Sequence, residues 1–209
     1  GGCKIGARPI DLYLKGLKSL GATVKEECGY VDVTATRFVG GTVFLDYPSV
    51  GATELLMMAG AIADGTTYIE NAAREPEIVD LAMFLKKMGA RITGAGTSSI
   101  YIKGVKKLSG ATYTPMFDRI EAGTMMIAAA MTKGKINIIG VKEEWMKPAI
   151  FKLREMGVKI NCNGNQMFVD GDVDLRAIDI TTMPHPGFPT DLQSQMLSLL
   201  CIAEGTSTV

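Results

Sequence analysis

The chain has 209 residues, with 22 basic and 22 acidic side chains and a formal net charge of zero. That balance excludes nucleic acid as the main partner, because phosphate binding needs a basic surplus or patch and no lysine or arginine run occurs. The hydrophobic fraction of 47% is ample for a core, yet no apolar stretch reaches the roughly 18 residues of a membrane span.

Taken in order, the chain opens on "GGCKIGARPID", a loop leading to a helix with Pro9 at its first position. The amide that proline lacks would be unpaired there anyway. Ile10, Tyr13, Leu14, Leu17 and Leu20 then follow the i, i+3, i+4, i+7 rule of an amphipathic helix, closed by Gly21. Two strand-like pieces follow in "ATVKEECGYVDV". Next comes "DYPSVGATELLMMAGAIADG", a helix apolar nearly all round and therefore expected to be buried. After the strand "TTYIEN", a second amphipathic helix starts at Pro76, with Ile78, Leu81, Ala82, Leu85 and Met88 on its face and Gly89 at its end. Two more strand-like pieces lead to "FDRIEAGTMMIAAAMTKG", again apolar, then the strand "KINIIG" and the helix end "LREMG". The last helix follows "MPHPGFPTDLQSQM".

This succession is a repeat. Gly21, Gly89 and Gly157 are spaced by 68 residues twice, and the glycines closing the apolar helices, Gly65, Gly134 and Gly205, by 69 and 71. A mixed unit of this size is expected to fold into closed domains rather than a solenoid. Each terminus falls inside or beside a strand of the repeat, so the chain is expected to be part of a longer protein.

The four cysteines are dispersed without a CxxC pair, and His185 is the single histidine, so no zinc site is expected. No basic start followed by an apolar run opens the chain. A reduced, cytoplasmic protein is the expectation. Cys28, Cys162 and Cys201 read as strand or core residues, and the methionines as core.

Three junctions carry residues that could do chemistry. In the first, Arg8 and the helix start would attract an anion, and would lower the pKa of Cys3 five residues upstream. The alternative there is a structural loop with an exposed thiol. In the second, Ser49 can cap while Val50, Gly51 and Ala52 offer amides to a phosphate, with Gly51 allowing close approach. An ordinary capped helix explains the same residues. In the third, three prolines stiffen the approach, and Thr190 with Gln193 fits a capping box. Asp191 would then lie in the first turn, held there by the helix dipole or poised to take a proton. Gly51 and Asp191 each stand fourteen residues before the glycine closing their helix, so they occupy the same place in the repeat. Asp118, Arg119 and Glu121 read as an ion-pair network or a binding edge. Glu75 and Glu77 flank Pro76 at a helix start, where acids are favoured.

The blocks "GGCKIGARPIDLYLKGLKSLGA", "SVGAT", "ENAAREPEIVD", "DRIEAGT" and "PHPGFPTDLQSQ" closely resemble the UDP-N-acetylglucosamine 1-carboxyvinyltransferases, in order along the whole chain. The resemblance implies an inside-out α/β barrel built of βαβαββ repeats, here truncated at both ends. It implies that residues 1–116 belong to the catalytic-loop domain and 117–209 to the second domain. The implied reaction transfers the enolpyruvyl group of phosphoenolpyruvate to the 3′-hydroxyl of UDP-N-acetylglucosamine, opening peptidoglycan synthesis, by addition and then elimination. No cofactor is implied, and the partners implied are these two substrates, with no nucleic acid and no membrane.

By this resemblance Asp191 matches the aspartate that accepts the hydroxyl proton. Cys3 matches the loop cysteine that protonates the methylene carbon, and Arg8 an arginine holding the phosphate of phosphoenolpyruvate. Arg8, Pro9, Ile10, Asp11 and Leu12 match the stretch lining the uridine side. Tyr47, Pro48, Ser49, Val50 and Gly51 match the segment around the diphosphate. Some members carry a lysine where Tyr47 stands, and the Lys-Asn pair the family uses for phosphoenolpyruvate occurs nowhere in this chain. Residues 1–209 alone are therefore expected to have little or no activity, since stabilisation of the phosphate charge would be incomplete. The competing readings are a non-catalytic nucleotide-sugar-binding module and a purely structural repeat protein.

Overall fold

A computed structural model describes residues 10–209, and two compact units divide the chain between Pro115 and Met116. In the first unit, helix α1 (Asp11–Ser19) leads into the hairpin β1 (Thr23–Glu27) and β2 (Tyr30–Thr34). The hairpin turns on Cys28 and Gly29, both at positive φ, as a tight two-residue turn requires. Strand β3 (Thr42–Phe44), helix α2 (Val50–Ala61), strand β4 (Thr66–Glu70), helix α3 (Pro76–Lys87) and strands β5 (Arg91–Thr93) and β6 (Ser99–Lys103) complete the unit. The sheet order is β3-β4-β6-β5, with β3 parallel to β4 and the other pairs antiparallel.

The second unit repeats the plan without its first strand. It runs α4 (Arg119–Met131), β7 (Lys135–Ile139), α5 (Glu143–Glu155), β8 (Lys159–Asn163), β9 (Gln166–Asp170) and α6 (Gln193–Leu200). Its sheet order β7-β9-β8 reproduces β4-β6-β5. Parallel bridges Val39↔Asp64 and Arg176↔Glu204 close the same corner in the two units.

Alternation along the strands explains why each sheet covers one core. Ile69, Ile92, Ile100 and Ile102 point inward in the first unit, and Ile160, Met167 and Val169 in the second. The amphipathic helices lie on these faces: Leu17 and Leu20, Ile78 and Leu85, and Ile150 and Leu153 are buried, whereas Ile10 is 44% exposed at the end of its stripe. Gly21, Gly89 and Gly157 stand at φ +88, +106 and +106, the left-handed helix ends their spacing suggests.

Several expectations need correction. The apolar helices are not buried all round within their units. Met58 and Ile62, Met125 and Met131, and Leu197 and Ile202 remain exposed, because the sheet and neighbouring helix cover only part of each cylinder. Methionine is accordingly divided, with Met57, Met126 and Met196 in the core and Met83 and Met183 exposed. Gly134 is not the left-handed residue of its turn; Lys133 takes that role at φ 51. Cys28 is exposed in its hairpin turn and Cys201 is exposed after α6, while Cys162 is half-buried on β8, where burial first and then the Glu143 carboxylate push its thiol pKa up.

Candidate functional site

Cys3, Arg8 and Pro9 lie outside the described residues, so the first junction is represented by Ile10, Asp11 and Leu12. Ile10 precedes α1 and its carbonyl accepts from the Leu14 amide at 3.0 Å; Asp11 is exposed in the first turn and Leu12 is half-buried.

The second junction is built from the residues the sequence singles out. Ser49 is extended and its Oγ accepts from the Ala52 amide at 3.3 Å. Its carbonyl accepts from the Thr53 hydroxyl at 2.7 Å, and that hydroxyl oxygen accepts from the Ala73 amide at 3.0 Å. Thr53 is fully buried, so the first turn of α2 is pinned to the loop after β4. The amides of Val50 and Gly51 have no hydrogen-bond partner among the described residues. Tyr47 is 56% exposed beside them, and Pro48 is half-buried. The close approach at Gly51 has a local occupant: the Tyr13 hydroxyl of α1 lies where a Cβ on Gly51 would stand. A side chain at 51 would have to displace this tyrosine of the same unit.

Glu54, one turn into α2, is a residue the sequence reading passes over. Burial and, second, the Glu77 carboxylate push its pKa up. The signal was available, because Glu54 is the one charged residue in an otherwise uncharged helix. Glu75 precedes α3 and Pro76 takes its first position, the arrangement expected of a helix start.

The third junction differs from its reading. Residues Thr190–Leu192 form a 3₁₀ turn preceded by Pro189, and α6 begins only at Gln193. Neither start has a side-chain cap, so the Thr190–Gln193 capping box does not form. The proline holds the entry extended, at φ −72 and ψ 139, and the backbone tightens into i→i+3 bonding, with the Leu192 amide donating to the Pro189 carbonyl at 3.2 Å. Asp191 is exposed on this turn. The approach is closed on itself: Met183 donates to the Phe188 carbonyl at 3.0 Å and Gly187 to the Pro184 carbonyl at 2.8 Å, with Phe188 buried. His185 is half-buried within this loop.

Asp118 resolves as a helix cap, its Oδ1 accepting from the amides of Ile120 at 2.8 Å and Glu121 at 3.0 Å. Arg119 is buried at 8% exposure. Within one unit the packing of α1 on α2 brings Tyr13 of the first junction onto Gly51 of the second. Asp191 belongs to the other unit, beside α4. Among the described residues no His, Cys, Asp and Glu group could hold a metal ion, and no helix is long and apolar enough to cross a membrane.

The family model described as EPSP synthase (3-phosphoshikimate 1-carboxyvinyltransferase) matches residues 1–209. UDP-N-acetylglucosamine 1-carboxyvinyltransferase 2 of Clostridium tetani is 57% identical over the whole chain, which covers 50% of that relative. UDP-N-acetylglucosamine 1-carboxyvinyltransferase 1 of Clostridium acetobutylicum is 55% identical with the same coverage. The chain thus spans about half the length of the curated relatives it matches. Among solved structures, the enolpyruvyl transferase NikO from Streptomyces tendae aligns at a TM-score of 0.84 and 25% identity, over 95% of this chain and 50% of that one. An EPSP synthase from Acinetobacter baumannii aligns at 0.63 and 22% identity, over 96% and 48% of the two chains, a likeness of fold. The repeated α/β units are those of the enolpyruvyl transferases, and the chain belongs to the EPSP synthase family.

Proposed function

We propose that the protein transfers the enolpyruvyl group of phosphoenolpyruvate to the 3′-hydroxyl of UDP-N-acetylglucosamine, releasing phosphate and supplying peptidoglycan synthesis. The observation that carries this reading is the 57% identity to a UDP-N-acetylglucosamine carboxyvinyltransferase, unbroken across all 209 residues. Residues 1–116 are assigned to the domain with the catalytic loop and 117–209 to the second domain.

In the addition step Asp191 accepts the proton of the 3′-hydroxyl as its oxygen bonds to C2 of phosphoenolpyruvate, and Cys3 protonates C3. A tetrahedral ketal results. Elimination then removes a proton from C3 and expels phosphate. Arg8 holds the phosphate of phosphoenolpyruvate. Pro9, Ile10, Asp11 and Leu12 line the uridine. Tyr47, Pro48, Ser49, Val50 and Gly51 surround the diphosphate, and the unpaired amides of Val50 and Gly51 suit that role. A proton acceptor needs access more than a cap, and Asp191 is exposed on a turn without one.

The test is phosphate release by the full native chain given both substrates. Turnover should appear with UDP-N-acetylglucosamine and fall by about 10²- to 10⁴-fold in Asp191→Asn. Absence of turnover, or turnover with shikimate 3-phosphate in its place, would overturn the assignment.

A further inference from the structure

The turn that carries Asp191 lacks a cap of its own, so something else must fix it. Two contacts to α4 do so. Leu192, next to Asp191 and 1% exposed, lies on Gly123, where an added Cβ would stand 2.7 Å from its Cδ1. One turn beyond Asp191, the Gln195 Nε2 donates to the Thr124 Oγ1 at 3.0 Å. Gln195 stands in the first turn of α6, directly after the 3₁₀ turn, so its bond fixes the helix start that Asp191 immediately precedes. The far end of the contact is itself held. Thr124 donates to the Ile120 carbonyl at 2.8 Å, and the Ile120 amide donates to the capping Asp118. The Gln195 Oε1 is shielded from solvent and has no hydrogen-bond partner among the described residues. An apolar side chain would avoid that loss, whereas the amide nitrogen supplies a directed bond that an apolar contact does not.

We propose that Gln195 and Thr124 are positioning residues for Asp191, fixing its turn against the capped start of α4. This rests on the reading of Asp191 as the proton acceptor. A base must stand within hydrogen-bond reach of its proton, and a shift of about 1 Å can cost on the order of 100-fold in rate.

The test is steady-state kinetics of the full native chain with phosphoenolpyruvate and UDP-N-acetylglucosamine. Gln195→Leu and Thr124→Val should each lower kcat by about 10- to 100-fold, with KM for both substrates within about twofold. The double variant should fall no further, because either change removes the same bond. Thr124→Ser keeps the hydroxyl and should recover most of the turnover. Gln195→Met keeps an unbranched chain without a hydrogen-bonding amide, and should match Gln195→Leu even where the leucine variant folds poorly. UDP-N-acetylglucosamine binding by calorimetry counts the folded fraction, so lost fold is separated from lost positioning. Gln195→Leu, Gln195→Met and Thr124→Val all within about twofold of the parent kcat, alongside an inactive Asp191→Asn, would overturn the positioning role and leave the base assignment standing. Full turnover by Asp191→Asn would instead overturn the base assignment beneath it.

Discussion

The starts of α2 and α6 occupy the same place in the repeat but are built by different means. At α2 a side chain caps the start: Ser49 accepts from the Ala52 amide, Thr53 bonds back to the Ser49 carbonyl and is tied to the Ala73 amide, and twelve helical residues follow. At α6 a proline leads into a 3₁₀ turn without a cap, and only eight α-helical residues follow. Its geometry comes from elsewhere, through Leu192 on Gly123 and Gln195 on Thr124. A capped start is held in part by its own residues. A start held by tertiary contacts can leave its first-turn side chain exposed for other work.

The largest test of this contrast is Leu192→Ala. Removing a side chain 1% exposed should cost about 2–5 kcal/mol of stability, read as a lowered denaturation midpoint of the native chain. A cost below about 1 kcal/mol would mean that the turn is not held by α4.

A smaller effect sharpens the comparison directly. Ser49→Ala removes a cap and should cost about 1 kcal/mol, whereas Thr190→Ala removes no cap bond and should stay within about 0.5 kcal/mol. Equal losses at the two positions, measured by thermal unfolding, would abolish the distinction.

The smallest expected effect concerns pH and the second unit's sheet. Asp170 pairs with Lys135 at 3.1 Å and accepts from the Asp172 amide, and its carboxyl is held below the usual range, by the Lys135 hydrogen bond first. The unfolded chain therefore binds the proton more readily than the folded one. The stabilisation is complete above the unfolded carboxylate range, near pH 4, and is lost as pH falls through the lowered folded value. Asp170→Asn should flatten the acid limb of the stability–pH profile; an unchanged limb would remove Asp170 as its source.

Much of the secondary structure was legible because it rests on local rules. The spacing of Gly21, Gly89 and Gly157 marks positions that need positive φ, and the apolar stripes on α1 and α3 mark the faces that pack. Ser49 was legible as a cap for the same reason. Asp118 was not, because a short acid beside Arg119 and Glu121 reads equally as an ion pair, and only the amide distances decide. Tyr13 over Gly51 was invisible, since the two residues are brought together by the packing of α1 on α2.

The sequence by itself determined the repeat, the helix ends and the family, because these depend on spacing, backbone preference and residue-by-residue likeness. Only the tertiary structure decided how α6 begins. Thr190 and Gln193 satisfy the capping pattern, but Pro189 sets the entry, Leu192 packs on Gly123 and Gln195 bonds to Thr124. Tertiary packing likewise decided which apolar residues of α2, α4 and α6 stay exposed, because a helix is covered only where a sheet or another helix meets it.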